Sequence, residues 1–284
     1  MDSSRFLIVG AKGQLGTALQ QKYPDAQAAD VDELDITDQA SLDAYDWSGV
    51  DVILNAAAFT NVDGAENEDG RVAAWRINAE AVKSLIYKAW EHKITVVHIS
   101  TDYVFDGRKT PHKEDESFAP LSVYGASKAA GDLLVSQIDR HYILRTSWVI
   151  GEGKNFVRTM LEVGKKGVDP TVVADQVGRL TFTSELVKAI DHLLSTKAEF
   201  GTYNVSNGGS SASWAGITRK IFEFAKLSNS VMDTTTAEYY KGKENIAPRP
   251  LNSELDLSKI EATGFSPVDW QEDLKAYIEK ELST

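Results

Sequence analysis

The run Arg5-Phe6-Leu7-Ile8-Val9 leads without a break into Gly10-Ala11-Lys12-Gly13-Gln14-Leu15-Gly16, and a helical pattern begins at Gln14. A strand, a glycine turn and a helix in immediate succession leave few folds open. In such a turn the first glycine permits a tight reversal, and the second removes a side chain where the backbone must approach a pyrophosphate. The third lets helix and strand pack closely. The N-terminus of the helix then offers free N–H groups and a partial positive charge to phosphates. The spacing is GxxGxxG, which also occurs in ordinary βα turns. Its place after the first strand makes Gly10, Gly13 and Gly16 candidate dinucleotide contacts.

The first half of the chain repeats this alternation. Strands are expected at Arg5–Gly10, Ala26–Asp30, Val50–Ala58, Ile94–Asp102 and Tyr142–Ile150, with helices at about Gln14–Tyr23, Arg71–His92 and Tyr124–Gln137. Runs such as Thr95-Val96-Val97-His98-Ile99 are too continuous for a sheet with one wet face. They predict parallel strands covered on both sides, hence a doubly wound α/β sheet of the Rossmann type with right-handed crossovers. After Gly151 the pattern loosens into helices at Asn155–Lys165, Ser184–Ser195, Ser213–Lys226 and Asp269–Leu282, with a strand at Thr202–Asn207. The expected organisation is a dinucleotide-binding domain over 1–150, a return to it over about 180–207, and a smaller substrate-binding lobe within 151–284.

Composition narrows the partners. The 284 residues hold 42 acidic against 30 basic side chains, for a net charge of −12, so nucleic acid is not an expected partner. No apolar run approaches the roughly 20 residues of a membrane-spanning helix, and the start lacks the layout of a signal peptide. Cysteine is absent, which fits a reducing, cytoplasmic setting. His92, His98, His112, His141 and His192 lack metal-ligand spacing and read as structural or exposed. No metal site is expected.

Asp30 ends the second strand, 20 positions after Gly10, where a carboxylate would bind the ribose hydroxyls of NADH. A solvated loop carboxylate is the other reading. No arginine adjoins Asp30 to welcome the 2′-phosphate of NADPH, although Lys12 could reach one. Asp35 and Ile36 would suit contacts to the adenine.

Tyr124-Gly-Ala-Ser-Lys128 opens a helix, and a spacing of four puts both side chains on one face. A tyrosine with a pKa near 10 exchanges protons poorly at neutral pH. A neighbouring ammonium and an oxidised nicotinamide would each lower that pKa, so the phenol could protonate an alkoxide as hydride arrives. Tyr239 and Lys243 share the spacing in a polar segment read as unrelated. Context singles out Tyr124 and Lys128: the strand before them ends in Ser100-Thr101-Asp102, at the sheet edge where such folds bind ligands. Thr101 could bond both the substrate oxygen and Tyr124. Lys154, Arg179 and Arg249 are basic groups available for a substrate diphosphate, and each reads equally as a solvated surface charge.

A larger set of residues carries a family resemblance. Gly-Gln-Leu-Gly at 13–16, Asn55-Ala-Ala-Ala-Phe-Thr-Asn-Val-Asp63, Ser100-Thr-Asp-Tyr-Val-Phe-Asp-Gly107, Tyr124-Gly-x-x-Lys128, Arg145-Thr-Ser-Trp148, Asp175-Gln-x-Gly178 and Arg249-Pro-Leu-Asn-Ser span nearly the whole chain. Together they resemble the dTDP-4-dehydrorhamnose reductases, which are extended short-chain dehydrogenases. The resemblance implies reduction of dTDP-4-dehydro-L-rhamnose at C4 by NADPH or NADH. It also implies cofactor contacts from Gly13, Gln14, Leu15, Asp30, Asp35, Ile36, Ala58, Phe59 and Thr60, besides Tyr124 and Lys128. Thr101 and Asp102 would bind the sugar. Trp148 would flank the substrate, or serve as a core aromatic at a strand end.

Three departures from the family pattern stand out. Arg179-Leu180-Thr181 replaces a usual x-Pro-Thr, Phe59 stands where tyrosine is common, and Ala18 matches the glutamate that some members use to dimerise around magnesium. Neither magnesium nor that dimer is therefore expected, and the chain is read as a monomer or weak homodimer. Related 4,6-dehydratases commonly carry Glu after Thr-Asp, but Tyr103 stands there. A 4-epimerase would hold its cofactor tightly. A dinucleotide-binding regulatory subunit, such as that of methionine adenosyltransferase, is a third reading, against which the Thr101, Tyr124 and Lys128 set argues.

Overall fold

The computed structural model describes residues 2–283. Six strands form one parallel sheet: β1 (Phe6–Val9), β2 (Gln27–Ala29), β3 (Val52–Asn55), β4 (Thr95–Thr101), β5 (His141–Thr146) and β6 (Gly201–Asn204). Their order is β2-β1-β3-β4-β5-β6. The chain leaves β1 for one neighbour and later returns to its other side, so the order reverses between β1 and β3. A crevice opens there at the carboxyl ends of the strands.

The alternation of side chains decides which helix covers which face. Phe6, Ile8, Leu54, Val97 and Leu144 share one core with Leu15 and Leu19 of α1 (Gln14–Lys22). Leu7, Val9, Ile53, Val96 and Ile143 face the other way, against Val82, Leu85 and Ala89 of α2 (Ala81–His92) and Val135 of α3 (Val123–Val135). Both faces are dry, which is why the strands read as unbroken apolar runs.

A second core gathers Ile150, Leu161, Phe182, Ile221, Trp270 and Leu274. Its helices are α4 (Phe156–Lys165), α6 (Trp214–Phe224) and α7 (Trp270–Ser283). Between them in sequence, α5 (Thr183–Thr196) packs Leu186, Ile190 and Leu193 on the first core, and β6 pairs with β5. Among the described residues, no helix is long and apolar enough to cross a membrane.

Two expected elements are interrupted. The helix expected over 71–92 is a helix at Glu68–Trp75, a π-helical turn at Arg76–Glu80, and α2. The turn buries Asn78, whose side chain accepts from the Phe59 N–H at 2.9 Å and donates to the Phe59 carbonyl at 3.2 Å and to Ser127 Oγ at 3.0 Å. The strand expected over 142–150 stops at Thr146. Trp148 takes the left-handed backbone region at φ 47°, and Val149–Ile150 pairs with Thr181–Phe182. A bulky aromatic residue held there is uncommon.

Candidate active site

Three cavities run end to end along the carboxyl edge of the sheet. The first, about 270 Å³, lies at the crevice beside Gly10, Gly13, Asp30, Asp35 and Ile36. The second, about 520 Å³, holds Thr60, Thr101, Asp102, Tyr124, Lys128 and Trp148. The third, about 320 Å³, is lined by Tyr103, Trp148, Trp214, Tyr239, Tyr240 and Arg249. Gly13 and Ala58 border the first two, and Tyr103 and Trp148 border the last two. The three form one trough, with Tyr124 and Lys128 at its middle.

The glycine turn fits a diphosphate. Gly10 has φ +79°, and a Cβ there would meet the Ala57 backbone at 2.7 Å. A Cβ on Gly16 would strike the Gly10 carbonyl at 2.2 Å, so this glycine is needed for the close packing of α1. Gly13 differs: a Cβ there has only the Gly10 carbonyl nearby, at 3.3 Å, and otherwise faces the cavities. No side chain caps α1, so its first N–H groups remain available to an anion. Asp30 is oriented by the Lys12 N–H on Oδ2 at 2.9 Å and the Val31 N–H on Oδ1 at 3.0 Å. Lys12 spends its ammonium on Asp32 at 2.6 Å.

Tyr124 and Lys128 lie on the buried face of α3, 9% and 1% exposed. Ser122 caps that helix by accepting from the Gly125 N–H at 3.1 Å, which fixes where the tyrosine begins. Tyr103 packs edge-on to Tyr124, with ring centroids 5.5 Å apart. Burial raises the phenol pKa well above its usual value, an interaction with the Thr101 hydroxyl opposes the rise, and Asp102 and Asp132 add to it. Within the protein alone, burial outweighs the lowering expected from Lys128. The Lys128 Nζ is directed to the Ile99 carbonyl at 2.7 Å and to His98 Nε2 at 3.3 Å. Burial pushes Lys128 down to about 8, while Asp132 one turn along pulls it up.

Thr101 donates to Asp102 Oδ1 at 3.1 Å. The second oxygen of Asp102 is buried without a protein partner. Burial raises this carboxyl to about 6, opposed by the nearby Ser253 and Thr101 hydroxyls. The turned backbone at Trp148 brings its indole between the second and third cavities, stacked on Trp214 with centroids 3.8 Å apart.

The remaining sequence candidates divide. Gln14, Leu15, Ala58 and Thr60 line the second cavity, whereas Phe59 packs beneath Tyr124 beside Ala65 and Ala74. Arg249 lines the third cavity and pairs with Asp63 at 2.8 Å. Lys154 is exposed and lines none of the three cavities. Arg179 is buried and donates to the Leu255 and Gly209 carbonyls, bracing the loops that carry them, and lines none of the three cavities. Of residues not singled out in the sequence as part of the site, Tyr103 borders the second and third cavities and Tyr239 the third. Tyr239 carried a signal, its spacing to Lys243, whose ammonium lies 4.1 Å over its ring.

A profile described as the RmlD substrate binding domain matches residues 4–283. The chain belongs to this family. Within it, the dTDP-4-dehydrorhamnose reductase of Aggregatibacter actinomycetemcomitans is 39% identical, over 97% of this chain and all of the relative. The spore coat polysaccharide biosynthesis protein SpsK of Bacillus subtilis is 36% identical, over 99% of each chain. A crystal structure of the Bacillus anthracis dTDP-4-dehydrorhamnose reductase in complex with NADP superposes with a TM-score of 0.89 at 35% identity, covering 99% of each chain. The family's reductases therefore share both the fold and nearly the full length of this chain, with a doubly wound sheet built for a nicotinamide dinucleotide.

Proposed function

We propose that the protein reduces dTDP-4-dehydro-L-rhamnose to dTDP-L-rhamnose at C4, with Tyr124 as proton donor. The observation that carries this reading is the position of Tyr124, buried midway between a glycine cradle and an aromatic outer cavity. The trough would hold a dinucleotide on Gly10, Gly13, Gln14 and Asp30 and a nucleotide-sugar against Trp148 and Arg249. The second core then serves as the substrate-binding lobe, and the setting is cytoplasmic. A bound reduced nicotinamide supplies the hydride.

The residues of the chain supply the proton and the orientation. A phenol whose pKa is raised by burial keeps its proton at neutral pH, which is the form a donor needs. Thr101 has one hydroxyl proton, which would turn from Asp102 to the sugar carbonyl when the substrate binds, leaving its oxygen free to accept from Tyr124. Asp102 lines the cavity and is placed to accept sugar hydroxyls. Lys128 places a cation beside the dinucleotide ribose and helps restore the proton Tyr124 gives up. Tyr103 stands where a dehydratase needs a carboxyl acid, and its own pKa is raised by burial, so water elimination lacks its acid.

We read NADH as the preferred donor. A 2′-phosphate at Asp30 would meet Asp32 and Glu33 as well, and Lys12 is already paired with Asp32. The test is loss of NADH and NADPH absorbance with dTDP-4-dehydro-L-rhamnose, run beside UDP- and GDP-linked keto-sugars. Turnover confined to the dTDP sugar, faster with NADH, is expected. No turnover with the dTDP sugar under either cofactor would overturn the reading.

A further inference from the structure

The groups behind Lys128 form a chain that nothing above uses. Asn55 ends β3, His98 lies in β4, and both are buried to 1% or less. The Ala57 N–H donates to Asn55 Oδ1 at 3.2 Å, and a backbone N–H can only donate. The amide is therefore fixed with Nδ2 toward His98 Nδ1, 3.0 Å away. Since Nδ2 also only donates, His98 Nδ1 must accept. Burial keeps the imidazole neutral, so its single proton sits on Nε2, the nitrogen 3.3 Å from Lys128 Nζ.

We propose that Asn55 and His98 are positioning residues that govern the protonation of Lys128: the fixed imidazole turns an N–H toward the lysine and so favours its neutral amine. The neutral form satisfies every contact. One amine N–H goes to the Ile99 carbonyl, the lone pair accepts from His98 Nε2–H, and the second N–H faces the cavity. An ammonium would set N–H against N–H. Other charged groups near Lys128 are Asp132 on its own helix, which favours the ammonium, and Arg145 from β5, which pairs with Asp132 at 3.0 Å and blunts it. Tyr124 and Asp102 face the same cavity.

The consequence rests on the proposed roles of Tyr124 and Lys128. When the Tyr124 proton passes to the sugar oxygen, the ammonium can release one proton to the phenolate. The resulting amine is the form His98 holds. Lysine then acts as a proton reserve rather than a fixed charge.

The test needs no substrate. Nitrogen NMR of the histidine rings in the whole protein reads the tautomer, and the Lys128 side-chain resonance reads its titration. Wild type is expected to show His98 protonated on Nε2. Asn55→Asp keeps the acceptor for Ala57 but removes the donor, so it is expected to move the proton to Nδ1. In that variant Lys128 should titrate at least one pH unit higher than in wild type, and the alkaline limb of kcat should shift with it. The proposal is overturned by Nδ1–H in wild type, a measurement that stands even if the variant does not fold. It is equally overturned by an unchanged tautomer in Asn55→Asp, or by a flipped tautomer with unchanged Lys128 titration. Failure of the keto-sugar assay, by contrast, would leave these spectra as they are and count only against the substrate.

Discussion

At the scale of single residues, the trough sets protonation against burial. Tyr124→Phe removes the donor and leaves the ring packed on Tyr103. Turnover is expected to fall by roughly 10²–10⁴-fold, with dinucleotide affinity within twofold of wild type by fluorescence titration. Equal turnover would remove Tyr124 from the chemistry. Asp102 gives a pH signature. Its carboxyl is raised to about 6, so between pH 4 and 6 the folded protein keeps a proton that the unfolded chain has lost. Stability contributed by this group therefore falls as pH rises through that window, and the penalty is complete above pH 6. Asp102→Asn is expected to melt above wild type at pH 7.5, by on the order of 2–3 kcal/mol of stability, and level with it at pH 4. The same variant should bind the sugar less tightly at pH 7.5, because an amide accepts fewer hydroxyls than a carboxylate. A variant no more stable than wild type at pH 7.5 would show that the carboxylate is solvated. That Tyr124, Lys128 and Thr101 share one cavity was legible because two share a helix face and the third ends a strand before it. The direction of Arg179 was not, since a long basic side chain turns to carbonyls of loops distant in sequence.

At the scale of elements, the glycine turn separates two jobs that one motif conflates. Gly16→Ala drives a Cβ into the Gly10 carbonyl at 2.2 Å and Ala11 Cα at 2.7 Å, atoms of the backbone that cannot step aside. A loss of several kcal/mol is expected, read as a lower urea midpoint. Gly13→Ala meets one atom at 3.3 Å and keeps φ −74°. It should fold with nearly unchanged stability while dinucleotide affinity drops roughly tenfold or more, about 1.4 kcal/mol or greater. If both variants lose stability alike, the division is wrong. The strand–turn–helix was readable because each glycine is demanded by local geometry. The π-helical turn at Arg76–Glu80 was not, because its cause is Asn78 reaching Phe59 and Ser127, residues 19 and 49 positions away. The break at Trp148 was hidden for the same reason: an apolar run reads as one strand whether or not its backbone reverses.

At the scale of the whole molecule, the sheet was plain in the sequence because burial on both faces leaves unbroken apolar runs. The second core was less so: its short helices bury one side each, and loops bearing Gly and Pro carry the chain between them. The outer cavity depends on how those loops meet the first half of the chain, and Asp63 is where they meet. It follows β3 in the segment that supplies Thr60 and Val62 to the second cavity. Its carboxylate accepts from the Ala247 N–H at 3.0 Å and from Arg249 at 2.8 Å, while the Arg249 guanidinium lies 4.9 Å over the Tyr240 ring. Despite the cost of burial, these donors hold the Asp63 pKa below its usual value. The pair is partly exposed, so its direct contribution to stability is about 1 kcal/mol or less. Its effect should instead fall on substrate binding, because it fixes Arg249 and Tyr240 at the wall of the third cavity. Asp63→Ala is therefore expected to raise the KM for the dTDP keto-sugar roughly tenfold, about 1.4 kcal/mol. The kcat at saturation should stay within a few fold and the dinucleotide affinity unchanged, since neither the glycine cradle nor Tyr124 touches the pair. Steady-state kinetics with each substrate varied in turn distinguishes the outcomes. A fall in kcat at constant KM would mean that the two halves of the chain meet through Asp63 to align the reacting groups, not to form the outer cavity.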